Sequence, residues 1–189
     1  MEIILGSQSP RRRELMAGLD LPFIAISIEA DESFPANLQG GEIPCFISRA
    51  KAQAYAQKLQ LDQLLITADT IVWLDGHMLG KPRDCEEAVA MLKRLRNKTH
   101  QVYTAVTFAQ KGQELETIVD KTDVTFGNLT DDEIIYYVQK YLPLDKAGAY
   151  GVQEWIGYVA CTQMSGSYFN VMGFPVHLVY QTLKKRGVI

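Results

Sequence analysis

Histidine and cysteine are both scarce in this sequence, three of each among 189 residues. Cys45, Cys85 and Cys161 are odd in number, far apart and without CxxC spacing. That excludes a zinc ribbon or a disulfide scaffold and suits a reduced, cytoplasmic protein. Excess positive charge is missing too: 19 Lys and Arg stand against 22 Asp and Glu, a net charge of −3, with a pI near 5.6. Such a surface is poorly made for neutralising many backbone phosphates, so nucleic acid is not an expected partner, whereas a small anionic ligand is compatible. No run approaches the ~18 to 20 apolar residues of a membrane span, so no membrane partner is expected. The N-terminal MEIILGSQS, with Glu2 and three apolar residues in a row, does not read as a signal peptide. Repeats, low-complexity tracts and an obvious linker are likewise missing. What is present, 47% hydrophobic and 22% charged residues, supplies core for a single domain over 1–189 or two tightly joined lobes.

Local patterns divide the chain into mixed elements. Glu2 to Leu5 reads as a short strand, GSQS as a loop, and Pro10 onward as a helix capped by Ser9 and ending near Gly18. PFIAISI (22–28) reads as a second strand, and from Pro44 the segment CFISRAKAQAYAQKL reads as a helix over 46–58. QLLITADTIVWL (63–74) is apolar and β-branched and turns at Asp75 and Gly76. A helix from Asp84 to about Arg96 opens on a capping-box-like DCEE, and a hairpin is expected about Lys111 and Gly112. Thr130 to Glu133 opens a helix to about Tyr141, and Pro175 opens the last, to about Lys185. Strands and helices mix without strict alternation, which predicts an α/β fold with a mixed sheet.

Three patterns carry chemistry. GSQSPRRREL (6–15) places three arginines after a small-residue loop at a helix N-terminus, where unpaired N–H groups and the helix dipole favour phosphate. Cations there oppose the dipole by a few tenths of a kcal/mol each, so something else must favour them. Successive helix residues are ~100° apart, so at most two of the three face one ligand. Secondly, Asp69 lies inside an apolar strand pattern and must find cations, hydrogen bonds or water, unless it is a strand-end Asp capping a loop. LGKP (79–82) aims Lys81 back along that strand but is not a Walker A motif. Thirdly, Asp31 and Glu32 follow a strand and suit either a hard metal ion or a plain loop, and Lys51 lies on a helix whose bland reading is a solvated face. Gly148, Gly151, Gly166 and Gly173 punctuate two polar and aromatic stretches and serve either close approach to a ligand or turns.

The order and wording of these stretches resemble the Maf family, once named for septum formation and understood as nucleotide pyrophosphatases. The resemblance rests on SQSPRR (7–12), DE (31–32), RAKA (49–52), ADTIV (68–72), LGKP (79–82), DKAGAYGVQ (145–153) and GSYFNVMGFP (166–175). It implies a mixed α/β fold, an elongated sheet flanked by helices with two lobes around a deep central cleft, and a homodimer as a common assembly. It implies Asp69 as proton acceptor, and Arg12, Thr70 and Gln153 as substrate-specificity residues of the branch that hydrolyses dTTP and UTP rather than the one associated with 7-methyl-GTP. Ser7, Glu32, Lys51 and Lys81 match polar positions of the same cleft, and Arg11 is a further candidate for the phosphates. Glu154 departs from the pattern, which has glycine after the glutamine; that leaves the chemistry intact and bears on the shape of the base-side loop.

Physical chemistry fits those implications. Cleavage between α- and β-phosphates needs cations to hold the chain and the leaving pyrophosphate, which Arg12, Lys51 and Lys81 supply. Arg12 is suited to bonding two oxygens at once, the lysines to acting as point charges. With Glu32 and Asp69 as oxygen ligands and no His or Cys cluster, the expected cofactor is Mg²⁺ or Mn²⁺. The expected partner is a nucleoside triphosphate, canonical or with a modified pyrimidine, in nucleotide-pool house-cleaning. Two alternatives are a nucleotide-binding regulator of cell division with incidental hydrolysis, and a distant nucleotidyl or phosphoryl transferase.

Overall fold

The computed structural model describes all 189 residues. In chain order the elements are β1 (Glu2–Gly6), α1 (Pro10–Ala17), β2 (Phe23–Ile26), α2 (Glu42–Ala56), β3 (Gln63–Leu74), β4 (His77–Leu79), α3 (Cys85–Leu95), β5 (Thr99–Gln110), β6 (Glu116–Phe126), α4 (Asp131–Tyr141), α5 (Trp155–Ala160), β7 (Cys161–Ser165), α6 (Tyr168–Val171) and α7 (Val176–Lys185), with a 3₁₀ turn at Ala147–Ala149. The seven strands form one mixed sheet in the order β2-β1-β3-β5-β6-β7, with β4 paired to β3. β1 runs parallel to both β2 and β3, whereas β3/β4 and β6/β7 are antiparallel. Helices surround the sheet elements in sequence, so the expected mixed α/β class is observed.

The chain groups into two compact units. The first comprises residues 1–70, 104–120 and 173–189, the second 71–103 and 121–172. In the first, α2 buries Ala52 beside Ile4, Leu65, Leu59 and Ala109, with Ile26, Ile28 and Tyr55 packed around them. In the second, α3 turns Ala88, Met91, Leu92 and Leu95 inward, the i, i+3, i+4, i+7 spacing of one helical face. These meet Phe126, Ile134, Tyr137 and Val138 in the larger core.

Helix ends follow local chemistry. Asp84 caps α3 by accepting from Glu87 N at 2.8 Å, with Glu86 and Glu87 in the first turn and Lys93 and Arg94 in the last, each complementing the dipole. Thr130 forms a full capping box at α4: its hydroxyl accepts from Glu133 N at 3.2 Å and Glu133 Oε2 accepts from Thr130 N at 2.8 Å. Asp75 and Gly76 both have positive φ, 50° and 79°, as a two-residue type I′ hairpin requires. Some boundaries differ from expectation. α2 starts at Glu42, before Pro44, because a proline in the first turn lacks only an N–H that has no intrahelical acceptor. The second strand is the shorter Phe23–Ile26. α5, β7 and α6 were not legible, being six, five and four residues long, too short for a period to declare itself.

One buried residue of the second unit sets an acid limit. His100 on β5 is fully buried, shares a hydrogen bond with the Tyr150 hydroxyl at 2.7 Å and meets Phe126 and Tyr150 edge-on. Its Nδ1 is buried without a partner, and desolvation pushes its pKa down to about 4. The unfolded chain therefore takes up this proton near pH 6.5, before the folded one does. Stability from this residue is complete above pH 6.5 and is lost as pH falls towards 4, by about 3 kcal/mol. Denaturant unfolding at pH 7 and pH 4 should show the wild type losing about that much more than His100→Gln; equal losses in the two proteins refute the assignment.

Candidate active site

Parallel pairing of β1 with β3 sets Gly6 opposite Thr67. Residues 7–9 and 68–70 therefore follow the last paired positions of two adjacent parallel strands, where α/β proteins characteristically bind ligands. The 7–9 loop is shaped by its own serines. Ser7 is buried and its hydroxyl accepts from Ser9 N at 3.2 Å. Ser9 caps α1, accepting from Arg12 N at 3.5 Å. Arg13 folds back to donate from Nε to Ser7 O at 3.3 Å, so it braces the loop.

Arg12 makes the fork. Nε donates to Gly173 O at 2.9 Å, Nη1 to Ala68 O at 2.9 Å and Nη2 to Thr70 Oγ1 at 3.0 Å. Three of the five guanidinium N–H donors are thereby committed to the protein, leaving two. Thr70 also shares a hydrogen bond with Thr104 at 3.0 Å. Gly173, at φ 104°, lies so close that a Cβ there would stand 3.3 Å from Thr70 Oγ1. Burial draws the Arg12 pKa below its ordinary value, opposed by the negative charge of Asp69, reinforced by Arg11 and opposed again by Glu32. Arginine nevertheless stays charged throughout the physiological range. These interactions offset the unfavourable position of Arg12 beside the α1 N-terminus.

Successive strand residues point to opposite faces, so Asp69 sides with Thr67 and away from Thr70. Thr67 donates to Ser48 O on α2 at 2.7 Å, and Ser48 in turn bonds Thr107 at 2.8 Å. One turn further along α2, Lys51 Nζ reaches Asp69 Oδ1 and Glu32 Oε1, each at 2.8 Å. Both members of the Lys51–Asp69 pair have side chains only 13% exposed. Lys51 is therefore not a solvated helix face, and Asp69 is not a loop cap. The DE pair splits: Asp31 accepts from Ser33 N and Oγ at 2.9 and 2.8 Å, which lowers its pKa, while Glu32 turns to Lys51. Two carboxylates are brought together here, but no set of three His, Cys, Asp or Glu side chains is gathered for a metal ion. Two oxygen donors fit an ion that completes its shell with water and phosphate, as Mg²⁺ does.

The second unit holds the other expected residues. Lys81 is exposed and has no protein partner among the hydrogen bonds and ion pairs, so it is available to an anion. Gln153 lies in a turn just before α5; its Oε1 is buried without a partner. Gly148 and Gly166 make close approaches to the chain itself, to Val72 and Thr122. Sequence reading missed Lys146 and Tyr137. Lys146 is almost fully buried, bonds Asp145 at 2.8 Å and stands 3.2 Å from Glu154 Oε1. Tyr137 donates to Glu154 Oε2 and accepts from Gly151 N at 3.1 Å. Lys146 was legible as a lysine inside the quoted DKAGAYG stretch; Tyr137 carried no signal apart from its place on a helix.

The family model described as Maf-like protein matches residues 2–186. A Bacteroides thetaiotaomicron protein named dTTP/UTP pyrophosphatase is 52% identical over 185 residues, 97% of this chain and 95% of that one. A Porphyromonas gingivalis protein of the same name is 49% identical over 189 residues, 98% and 94% of the two chains. Among solved structures, the Staphylococcus aureus Ham1 protein superposes with a TM-score of 0.56 at 17% identity, covering 98% of this chain and 100% of that one. A HAM1 protein from Coxiella burnetii gives 0.50 at 14% identity, covering 98% and 99%; at such identities the likeness extends to the fold alone. A family model spanning nearly the whole chain, and relatives sharing about half its residues, leave one conclusion: this chain belongs to the Maf-like protein family.

Proposed function

We propose that this protein hydrolyses dTTP and UTP to the nucleoside monophosphate and pyrophosphate. The observation that carries the reading is the Asp69 carboxylate, fixed by Lys51 through Oδ1 alone, beyond the paired ends of two parallel strands and sensed by the Arg12 guanidinium. The names of the relatives at about 50% identity support the same substrate pair.

In this reading Asp69 Oδ2, which makes no hydrogen bond in the protein, accepts a proton from the attacking water. The water oxygen bonds the α-phosphorus as the α–β bridging bond breaks, and the electron pair leaves with pyrophosphate. Arg11 and the two remaining N–H groups of Arg12 are the cations that the first unit offers to phosphates, and Lys81 is the one offered by the second. Glu32 and Asp69 would hold a divalent ion, which when bound supplies charge neutralisation and a more acidic water. An Asp69 oxygen left open to accept a proton serves turnover rather than binding alone, which disfavours the regulatory alternative.

Gln153 reads the base. Its buried Oε1 needs a donor, and leaving such an acceptor unpaired costs about 1–3 kcal/mol. The N3–H of uracil or thymine supplies that donor, while a flanking carbonyl accepts from the amide nitrogen; in the same pose cytosine sets its N3 lone pair against Oε1, acceptor to acceptor.

Asp69→Asn should lower pyrophosphate release from dTTP by roughly 100- to 10,000-fold at saturating metal; retention of most activity removes Asp69 as proton acceptor. Chelation should abolish turnover and added Mg²⁺ or Mn²⁺ restore it, and chelator-insensitive hydrolysis contradicts the metal assignment. Gln153→Ala should shrink the preference for dTTP over dCTP by about 5- to 150-fold, with a smaller change in kcat for dTTP. An equal loss on every nucleotide would take base recognition away from Gln153.

A further inference from the structure

The residue that departs from the family pattern does not project from its loop. Glu154 is mostly buried, its side chain 19% exposed, and is held at both carboxylate oxygens: Oε2 accepts from the Tyr137 hydroxyl and Oε1 stands 3.2 Å from Lys146 Nζ. An ionised carboxylate only accepts hydrogen bonds. Tyr137 must therefore spend its single proton on Glu154, which turns its oxygen lone pairs to the Gly151 N–H at 3.1 Å. Gly151 N–H can only donate, so the chain runs from Gly151 N–H through Tyr137 to Glu154, which supplies the acceptor at its end. Tyr137 is buried completely, and desolvation with the adjacent Glu154 raises its pKa, so the phenol keeps the proton it donates.

Those contacts fix both ends of one turn. Glu154 N donates to Gly151 O at 3.0 Å, which closes a tight turn over Val152 and Gln153. Gly151 is anchored by its N–H and Glu154 by its side chain, so neither end rotates without breaking a buried hydrogen bond. Packing allows no slack either: a Cβ on Gly151 would lie 2.9 Å from Glu154 Cδ and 3.1 Å from Lys146 Cε. Between the two anchors sits Gln153, with a buried Oε1 that no group of the chain satisfies.

We infer that Glu154, through Tyr137 and Lys146, is a specificity-positioning residue: it rigidifies the 151–154 turn so that the Gln153 amide is presented to the pyrimidine edge. This rests on the base-recognition role proposed above for Gln153. Glu154 touches no reacting atom and acts only through its neighbour.

The test is steady-state kinetics on dTTP and dCTP with the full chain. Glu154→Ala and Tyr137→Phe should each lower the dTTP-to-dCTP ratio of kcat/KM by roughly 5- to 20-fold, within the range for leaving one polar group mispaired. The loss should lie in KM for dTTP, with kcat within about threefold of wild type, the pattern of lost uniform binding. Glu154→Gln, which still accepts from Tyr137, should retain most of the ratio. The double variant Gln153→Ala/Glu154→Ala should be no less selective than Gln153→Ala alone, since residues acting through one contact are not additive. Additive losses, or an unaltered ratio in Tyr137→Phe and Glu154→Ala while Gln153→Ala alters it, overturn this inference alone. An unaltered ratio in Gln153→Ala overturns the base-recognition role and this inference with it. Tyr137→Phe conserves volume and gives a reading even where truncation of Glu154 impairs folding.

Discussion

The ammonium of Lys51 stands 2.8 Å from both Asp69 and Glu32, and much of the first unit is arranged to keep it there. A carboxylate on a strand as apolar as QLLITADTIVWL has to be paired; removing one partner of a largely buried pair typically costs about 3–5 kcal/mol. The partner arrives from α2, whose register against β3 is fixed one turn earlier. Thr67 donates to the Ser48 carbonyl, Ser48 bonds Thr107, and Thr107 bonds Thr117 at 3.0 Å. Each of these hydroxyls is small and β-branched or serine-sized, which lets helix and strand approach closely while satisfying buried polar groups. A slide of α2 by one residue would break that ladder and carry Lys51 about 100° off the carboxylates. The same pairing restrains the 27–41 segment, because Glu32 is drawn to the ammonium while Asp31 is consumed by Ser33.

On the other face of β3, Arg12 solves a different problem. Its location in the first turn of α1 is electrostatically poor, and the fold compensates with carbonyls rather than carboxylates. Ala68 O and Gly173 O, with the Thr70 hydroxyl, occupy three directions of the guanidinium plane. Lysine, with a point charge and no fixed fork, lacks the geometry to bridge three such acceptors. The arginine thereby ties the start of α1, the strand that carries Asp69 and the turn before α7 at a single point. Neutral acceptors leave its positive charge uncancelled, which matters if phosphates are to be attracted.

How much of this was legible beforehand follows the range of the forces concerned. β3 was read at its observed limits, 63–74, because a long buried strand is written in consecutive residues. α3, α4 and α7 were read to within a residue or so, since caps such as Asp84 and Thr130 are local. Asp69 declared its need for a partner, yet nothing local named Lys51, 18 residues away. The partners of Arg12 were invisible for another reason: Ala68 and Gly173 contribute backbone carbonyls, which every residue possesses. α5 and α6 failed to show because six and four residues cannot display a helical period. Glu154 was visible only as a departure, and its meaning depended on Tyr137, a residue with no motif around it.

That last case bears on why a buried ion pair persists at all. Lys146 and Glu154 have side chains 10% and 19% exposed, and apolar residues of similar volume are often neutral or better for stability at such places. Stability therefore gives a weak account of them. Geometry gives a stronger one: an apolar residue at 154 fills space but removes the acceptor that fixes the Tyr137 hydroxyl, and with it the side-chain anchor at the far end of the turn. His100 and Tyr150 work in a parallel way a few residues earlier, with a shared hydrogen bond of 2.7 Å holding the end of the DKAGAY stretch to β5. The segment around Gln153 is thus fixed at Tyr150, Gly151 and Glu154 by four polar contacts, to His100, Tyr137 (twice) and Lys146, a density that a loop serving only as a connection has no reason to carry.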